Sequence, residues 1–86
     1  MTPIDYGKLR SLTAHELVRS LETDKFSLLR QTGSHHRYGH VDGRRVTVPF
    51  TRSGETFAPG TLKSIIEKQA RWSEEDLRRL GILSSE

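Results

Sequence analysis

His35-His36-Arg37-Tyr38-Gly39-His40-Val41, Asp42-Gly43, Arg44-Arg45-Val46-Thr47-Val48-Pro49 is the stretch on which the fold turns. An Asp-Gly pair between two runs of β-branched and aromatic residues signals a hairpin, because tight loops need positive φ where these residues tolerate it. Two strands are therefore predicted, over 35–41 and 44–49. A two-residue loop pairs Val41 with Arg44 and His40 with Arg45, and paired residues share a face. One face then carries His36, Tyr38, His40, Arg45 and Thr47, and the other Val41, Val46 and Val48 with the stems of Arg37 and Arg44. The valine face is expected to meet the helices, which turns the histidines and Arg45 to solvent and frees Tyr38 to stack on a base. A three-residue loop would shift the register by one and set His36 opposite Val48.

Upstream, Phe26 to Thr32 reads as a first strand, joined to the second by Gly33-Ser34. Before it, Thr13 followed three residues later by Glu16 is a capping box. It opens a helix over Ala14–Thr23 whose apolar stripe is Leu17, Val18 and Leu21. Downstream, Phe50 to Ala58 has no periodicity and reads as a surface loop. A second helix is expected over Pro59–Ala70, with Pro59 in the first turn and Leu62, Ile65, Ile66 and Gln69 at helical spacing. Ser73 caps a third, shorter helix whose acidic start suits a helix amino terminus, and Leu77, Leu80 and Gly81 supply its stripe and its stop. Trp72 reads as a packing anchor for that helix. The order is α-β-β-β-α with an additional terminal helix, an α+β chain with no internal repeat or linker, read as one domain over 1–86.

Size and composition narrow the function. Eighty-six residues, 33% hydrophobic and 29% charged, build one small core under a polar surface. No stretch reaches the ~20 apolar residues of a membrane span. Met1 to Gly7 lacks the basic start and apolar run of a secretory signal, so the cytoplasm is expected. Without cysteine there is no disulfide framework, thiolate zinc site or thiol nucleophile. The net charge is +3 and the pI near 9.7. Between Lys25 and Arg52 the basic residues are Lys25, Arg30, Arg37, Arg44, Arg45 and Arg52, opposed by Asp42 alone, with His35, His36 and His40 among them. This segregation points to a nucleic-acid face in the middle of the chain.

Three motifs carry a resemblance: Gly33-Ser34-His35-His36, then Asp42-Gly43-Arg44-Arg45-Val46-Thr47-Val48-Pro49, then Pro59-Gly60-Thr61-Leu62-Lys63-Ser64-Ile65-Ile66. In this order and spacing they resemble the HicA toxin family over roughly Thr13 to Ala70. The resemblance implies a fold like that of double-stranded-RNA-binding domains, cleavage of mRNA, and a HicB-like antitoxin partner in a hetero-oligomer. The family's functional histidine closes its Gly-Ser-any-His motif and falls on His36, with His35 at the variable position. Phe50 and Thr51 stand where many relatives carry a basic residue and a histidine. Residues 71–86 extend past the family's usual end.

The chemistry is consistent with that resemblance. Cutting RNA requires only that the ribose 2′-OH lose its proton and attack its own phosphorus. One histidine near neutral pH can move that proton, so no metal or other cofactor is expected. Arg45 is the first choice to neutralise charge at the phosphorus, with Arg37 and Lys63 behind it. Ser34, Tyr38 and His40 complete the expected RNA-binding set. His15 lies on no motif and reads as a surface residue. Adjacent strand residues point to opposite faces, so His35 and His36 do not readily share an ion, and His36 with His40 lacks a carboxylate or thiolate to complete a metal triad. The alternative function is a non-catalytic module that grips duplex RNA by shape.

Overall fold

Thr13 opens the first helix as its spacing to Glu16 predicts: the Glu16 N–H donates to Thr13 Oγ1 at 3.2 Å and the Thr13 N–H to Glu16 Oε1 at 2.9 Å. The computed structural model describes residues 4–83, so the reading of Met1-Thr2-Pro3 lies outside the described residues. A short 3₁₀ turn over Tyr6–Leu9, which the periodicity did not signal, precedes helix α1 at Ala14–Thr23. Strands β1 (Ser27–Thr32), β2 (His35–Gly39) and β3 (Arg45–Pro49) form one antiparallel sheet in chain order. Helix α2 (Pro59–Lys63) runs on into a π-helical turn over Ser64–Gln69, and helix α3 (Glu74–Arg79) starts from a second capping box, Ser73 with Asp76.

One face of the sheet is the core face. Val46, Val48 and Tyr38 are buried there with Leu17 and Leu21 of α1 and with Leu62, Ile65 and Ile66 of the second helical segment. At ~1.5–3 kcal/mol for each apolar side chain taken out of water, these residues decide which face the helices cover. His15 is exposed, as its place outside the stripe requires.

The hairpin between β2 and β3 differs from the two-residue expectation. Gly39 pairs with Arg45, Tyr38 with Val46, Arg37 with Thr47 and His36 with Val48. The His40 carbonyl accepts from the Gly43 N–H at 3.0 Å, the His40 N–H donates to the Arg44 carbonyl at 3.0 Å, and Gly43 has φ +99°. The loop is therefore Val41-Asp42-Gly43, a turn ending in a left-handed glycine. The one-residue slip moves every β2 side chain to the other face relative to β3. Tyr38 becomes a core residue, 4% exposed, while Val41 sits 96% exposed at the loop tip. Arg37 and Arg45 lie on the open face, not beside the valines or beside His36.

Asp24, at the end of α1, ties the terminal helix to the domain. Its Oδ2 accepts from Trp72 Nε1 at 2.8 Å and from Arg44 at 3.3 Å, and its Oδ1 accepts from Arg79 at 2.8 Å. Burial pushes the Asp24 carboxyl up, but the hydrogen bonds from Trp72 and Arg79 and the charges of Arg79 and Arg44 outweigh it and hold it below the usual carboxylate range. Trp72 is thus the buried anchor its position predicts.

Candidate active site

His36 occupies the end of β2 beside the Gly33-Ser34 turn. Thr32 pairs with His35 across this two-residue loop, whose first position, Gly33, has φ +57°. The register then brings Ser34 opposite Phe50, whose N–H donates to the Ser34 carbonyl at 2.9 Å. The same carbonyl lies 3.1 Å from His36 Nδ1. A carbonyl oxygen only accepts, so Nδ1 carries the hydrogen and the neutral ring presents Nε2 as its bare nitrogen. Phe50 fixes the ring plane, with centroids 3.9 Å apart and an interplanar angle of 12°. His36 is half-buried: held on one side, reachable on the other.

This arrangement has the parts of a single proton-transfer group. Its tautomer is set by a main-chain acceptor, its rotamer by an aromatic ring, and its second nitrogen is unengaged among the described residues. Phe50 serves as the support of the histidine. Nothing in the local sequence marks it, because the contact depends on the β2–β3 register.

The remaining residues of the predicted set are dispersed. Ser34 contributes its carbonyl at the turn. Tyr38 lies in the core and cannot stack on a base, which corrects the expectation from the two-residue loop. His40, on the same face as His36 but four residues on and just past the end of β2, is ~13 Å away at strand rise. Its Nδ1 takes the Asp42 N–H at 3.0 Å, and its ring meets the edge of Phe26 at 5.0 Å. Arg37 and Arg45 are exposed on the opposite face of the sheet. Lys63 is exposed on α2, beside a groove it shares with Glu67 and Trp72. Arg44, expected only to lend its stem to the valine face, is a clamp: it donates to Asp42 Oδ2 at 2.8 Å and to the Ala70 carbonyl at 2.6 Å, and lies over the Phe26 ring at 4.8 Å.

The family model described as HicA toxin of bacterial toxin-antitoxin matches residues 14–72, well over half of the chain. That span begins with α1 and ends at the Trp72 anchor, so α3 lies outside it. No curated protein matches the chain.

Proposed function

The chain belongs to the HicA family, the toxins of bacterial toxin–antitoxin systems, and from that premise we propose that it is an endoribonuclease acting on mRNA with His36 as its catalytic residue. The supporting observation is the double restraint on His36, by the Ser34 carbonyl and by the Phe50 ring, which leaves Nε2 to meet a substrate. In the proposed reaction Nε2 takes the proton of a ribose 2′-OH. The 2′-oxygen bonds to the adjacent phosphorus, the bond from phosphorus to the 5′-oxygen breaks, and the leaving oxygen takes a proton from water, to which the imidazolium returns the proton it had accepted. The products are a 2′,3′-cyclic phosphate and a 5′-hydroxyl. No metal or other cofactor takes part.

RNA is brought to this site by Ser34 at the turn and by His40 and Lys63 on the helical side; Arg37 and Arg45, on the opposite face of the sheet, take no part in it. Restraint by a HicB-like antitoxin, in a hetero-oligomer in the cytoplasm, completes the proposal. Among the described residues no helix is long and apolar enough to cross a membrane.

The test is cleavage of a single-stranded oligoribonucleotide by the purified chain in EDTA, with the ends of the products identified by mass spectrometry. Cyclic-phosphate ends, a rate unaffected by chelation and an affinity that falls steeply with salt are expected. Activity lost on chelation and restored by manganese or zinc would sink the metal-free mechanism. Tight, salt-dependent binding of duplex RNA without cleavage would favour the binding-module alternative.

A further inference from the structure

The two edges of the sheet are treated differently by the chain. At β3, register turns the main-chain groups of Arg45, Thr47 and Pro49 outward. The Thr47 N–H donates to Gln69 Oε1 at 2.8 Å, and Pro49 has no N–H to offer. Gln69 is brought there by the π-helical turn and held by its own donation to Ser64 Oγ at 3.1 Å. This edge is closed to another strand.

Among the described residues nothing covers the β1 edge in this way. A two-residue turn closes on a hydrogen-bonded pair, here Thr32 with His35, so the N–H and C=O of Gln31 point away from β2, as do those of Leu28 opposite Tyr38. Every residue of β1 is exposed, including Leu28 at 51% and Leu29 at 53%, on opposite faces of the strand. The irregularity between Leu28 and Arg30 sets Leu29 over Gly39, where a Cβ would come within 2.5 Å of Leu29 Cδ1. Beside Leu29, Arg30 lies directly across from Arg37, and Arg45 lies on the next strand. All three arginines are exposed, and none has an acidic partner among the described residues. Like charges directly opposite one another on a sheet are unfavourable, so this cluster fits an anionic partner.

We infer that the β1 edge and the arginine face beside it dock an acidic polypeptide segment in extended conformation, which adds to the sheet as a fourth strand. The open main-chain groups of Leu28 and Gln31 match another strand and not a nucleic acid. Exposed leucines beside arginines have the composition of a protein interface, and among the described residues this face offers no Phe, Tyr or Trp ring for base stacking, its aromatic group being the imidazole of His35 at the end of the strand. Two copies joined through β1 would bring six arginines onto one continuous face, so charge selects a different, acidic chain. Side chains of the added strand alternate: those on the arginine face are acidic, and those on the other side are apolar over Leu28. The inference is independent of whether His36 cleaves RNA.

The experiment is a backbone-amide NMR titration of the full chain with an eight-residue peptide alternating Val and Glu. A parallel titration uses a single-stranded oligouridylate. Saturable shifts at Leu28, Leu29 and Gln31 on adding the peptide are expected, weakened at least tenfold in Arg37→Glu. Gln31→Pro removes an outward N–H and an exposed side chain whose one contact is a long 3.5 Å donation to the Gly33 carbonyl, and is expected to keep the core resonances while losing the peptide. Should that variant fail to fold, a peptide with Lys in place of Glu decides, and equal binding of the two peptides overturns the inference. It is likewise overturned if the oligouridylate and not the peptide saturates the arginine face, if the chain alone dimerises through β1, or if a folded Gln31→Pro binds the peptide as the parent does.

Discussion

The imidazole of His36 lies flat on the ring of Phe50, 3.9 Å between centroids and 12° between planes, while its Nδ1 is tied to the Ser34 carbonyl. One support fixes the plane and the other fixes the tautomer. Removing the first leaves the second, so Phe50→Ala is expected to keep the fold and lower the cleavage rate about tenfold through lost orientation. Phe50→Tyr, which retains the ring, should restore most of it. Single-turnover kinetics with circular dichroism on both variants checks this, and a Phe50→Ala protein as fast as the parent removes the positioning role.

His36→Ala is expected to reduce cleavage ~10²-fold or more, the usual scale for deleting a general acid or base, with RNA affinity nearly unchanged. His35 points to the other face, where it is exposed, so His35→Ala should retain most activity. Cleavage rates measured beside binding isotherms separate the two. Equal losses in both variants, accompanied by unfolding, would make the histidines structural.

Tyr38 now predicts a stability phenotype in place of a binding one. At 4% exposure against Val46, its truncation to Ala is expected to cost ~3–5 kcal/mol, enough to unfold a domain of this size. Tyr38→Phe should leave RNA affinity unchanged. A clear loss of affinity in a folded Tyr38→Phe protein would return the residue to the binding surface.

The Asp24 carboxyl, held below its usual range, gives the fold an acid-sensitive component. A depressed folded value means that stabilisation is present above the unfolded value of ~3.9 and is lost as pH falls through the folded one. Asp24→Asn keeps an acceptor for Trp72 but loses the charge facing Arg44 and Arg79. We expect it to cost ~1–2 kcal/mol near neutral pH, discounted because Arg79 is half exposed. The gap between parent and variant should shrink as pH drops below 4 in denaturant titrations. A gap independent of pH would place the role of Asp24 in geometry alone.

Most of the architecture was legible without coordinates, because its signals are local. The capping boxes at Thr13 and Ser73 depend on side chains three residues away. Pro59 at the start of the second helix and the left-handed Gly33, Gly43 and Gly81 act within one turn. His36 stands out in the sequence for a different reason, as the closing residue of a short motif. Phe50, Gln69 and Asp24 were not, since their partners are 14, 22 and 48 residues away in the chain or more than one element distant.

The face on which each β2 residue stands was decided only by the tertiary structure. Asp42-Gly43 fits a two-residue loop and equally the end of a three-residue loop whose last position is a left-handed glycine, so local turn chemistry is degenerate. Burial breaks the tie. The longer loop unites Tyr38 with Val46 and Val48 against the helices and leaves only Val41 in water, whereas the shorter one would strand an aromatic ring outside the core. That same choice seats His36 on Phe50 and sends Arg37 and Arg45 to the open face, because a side-chain period of two lets a one-residue slip reassign every side chain on the strand.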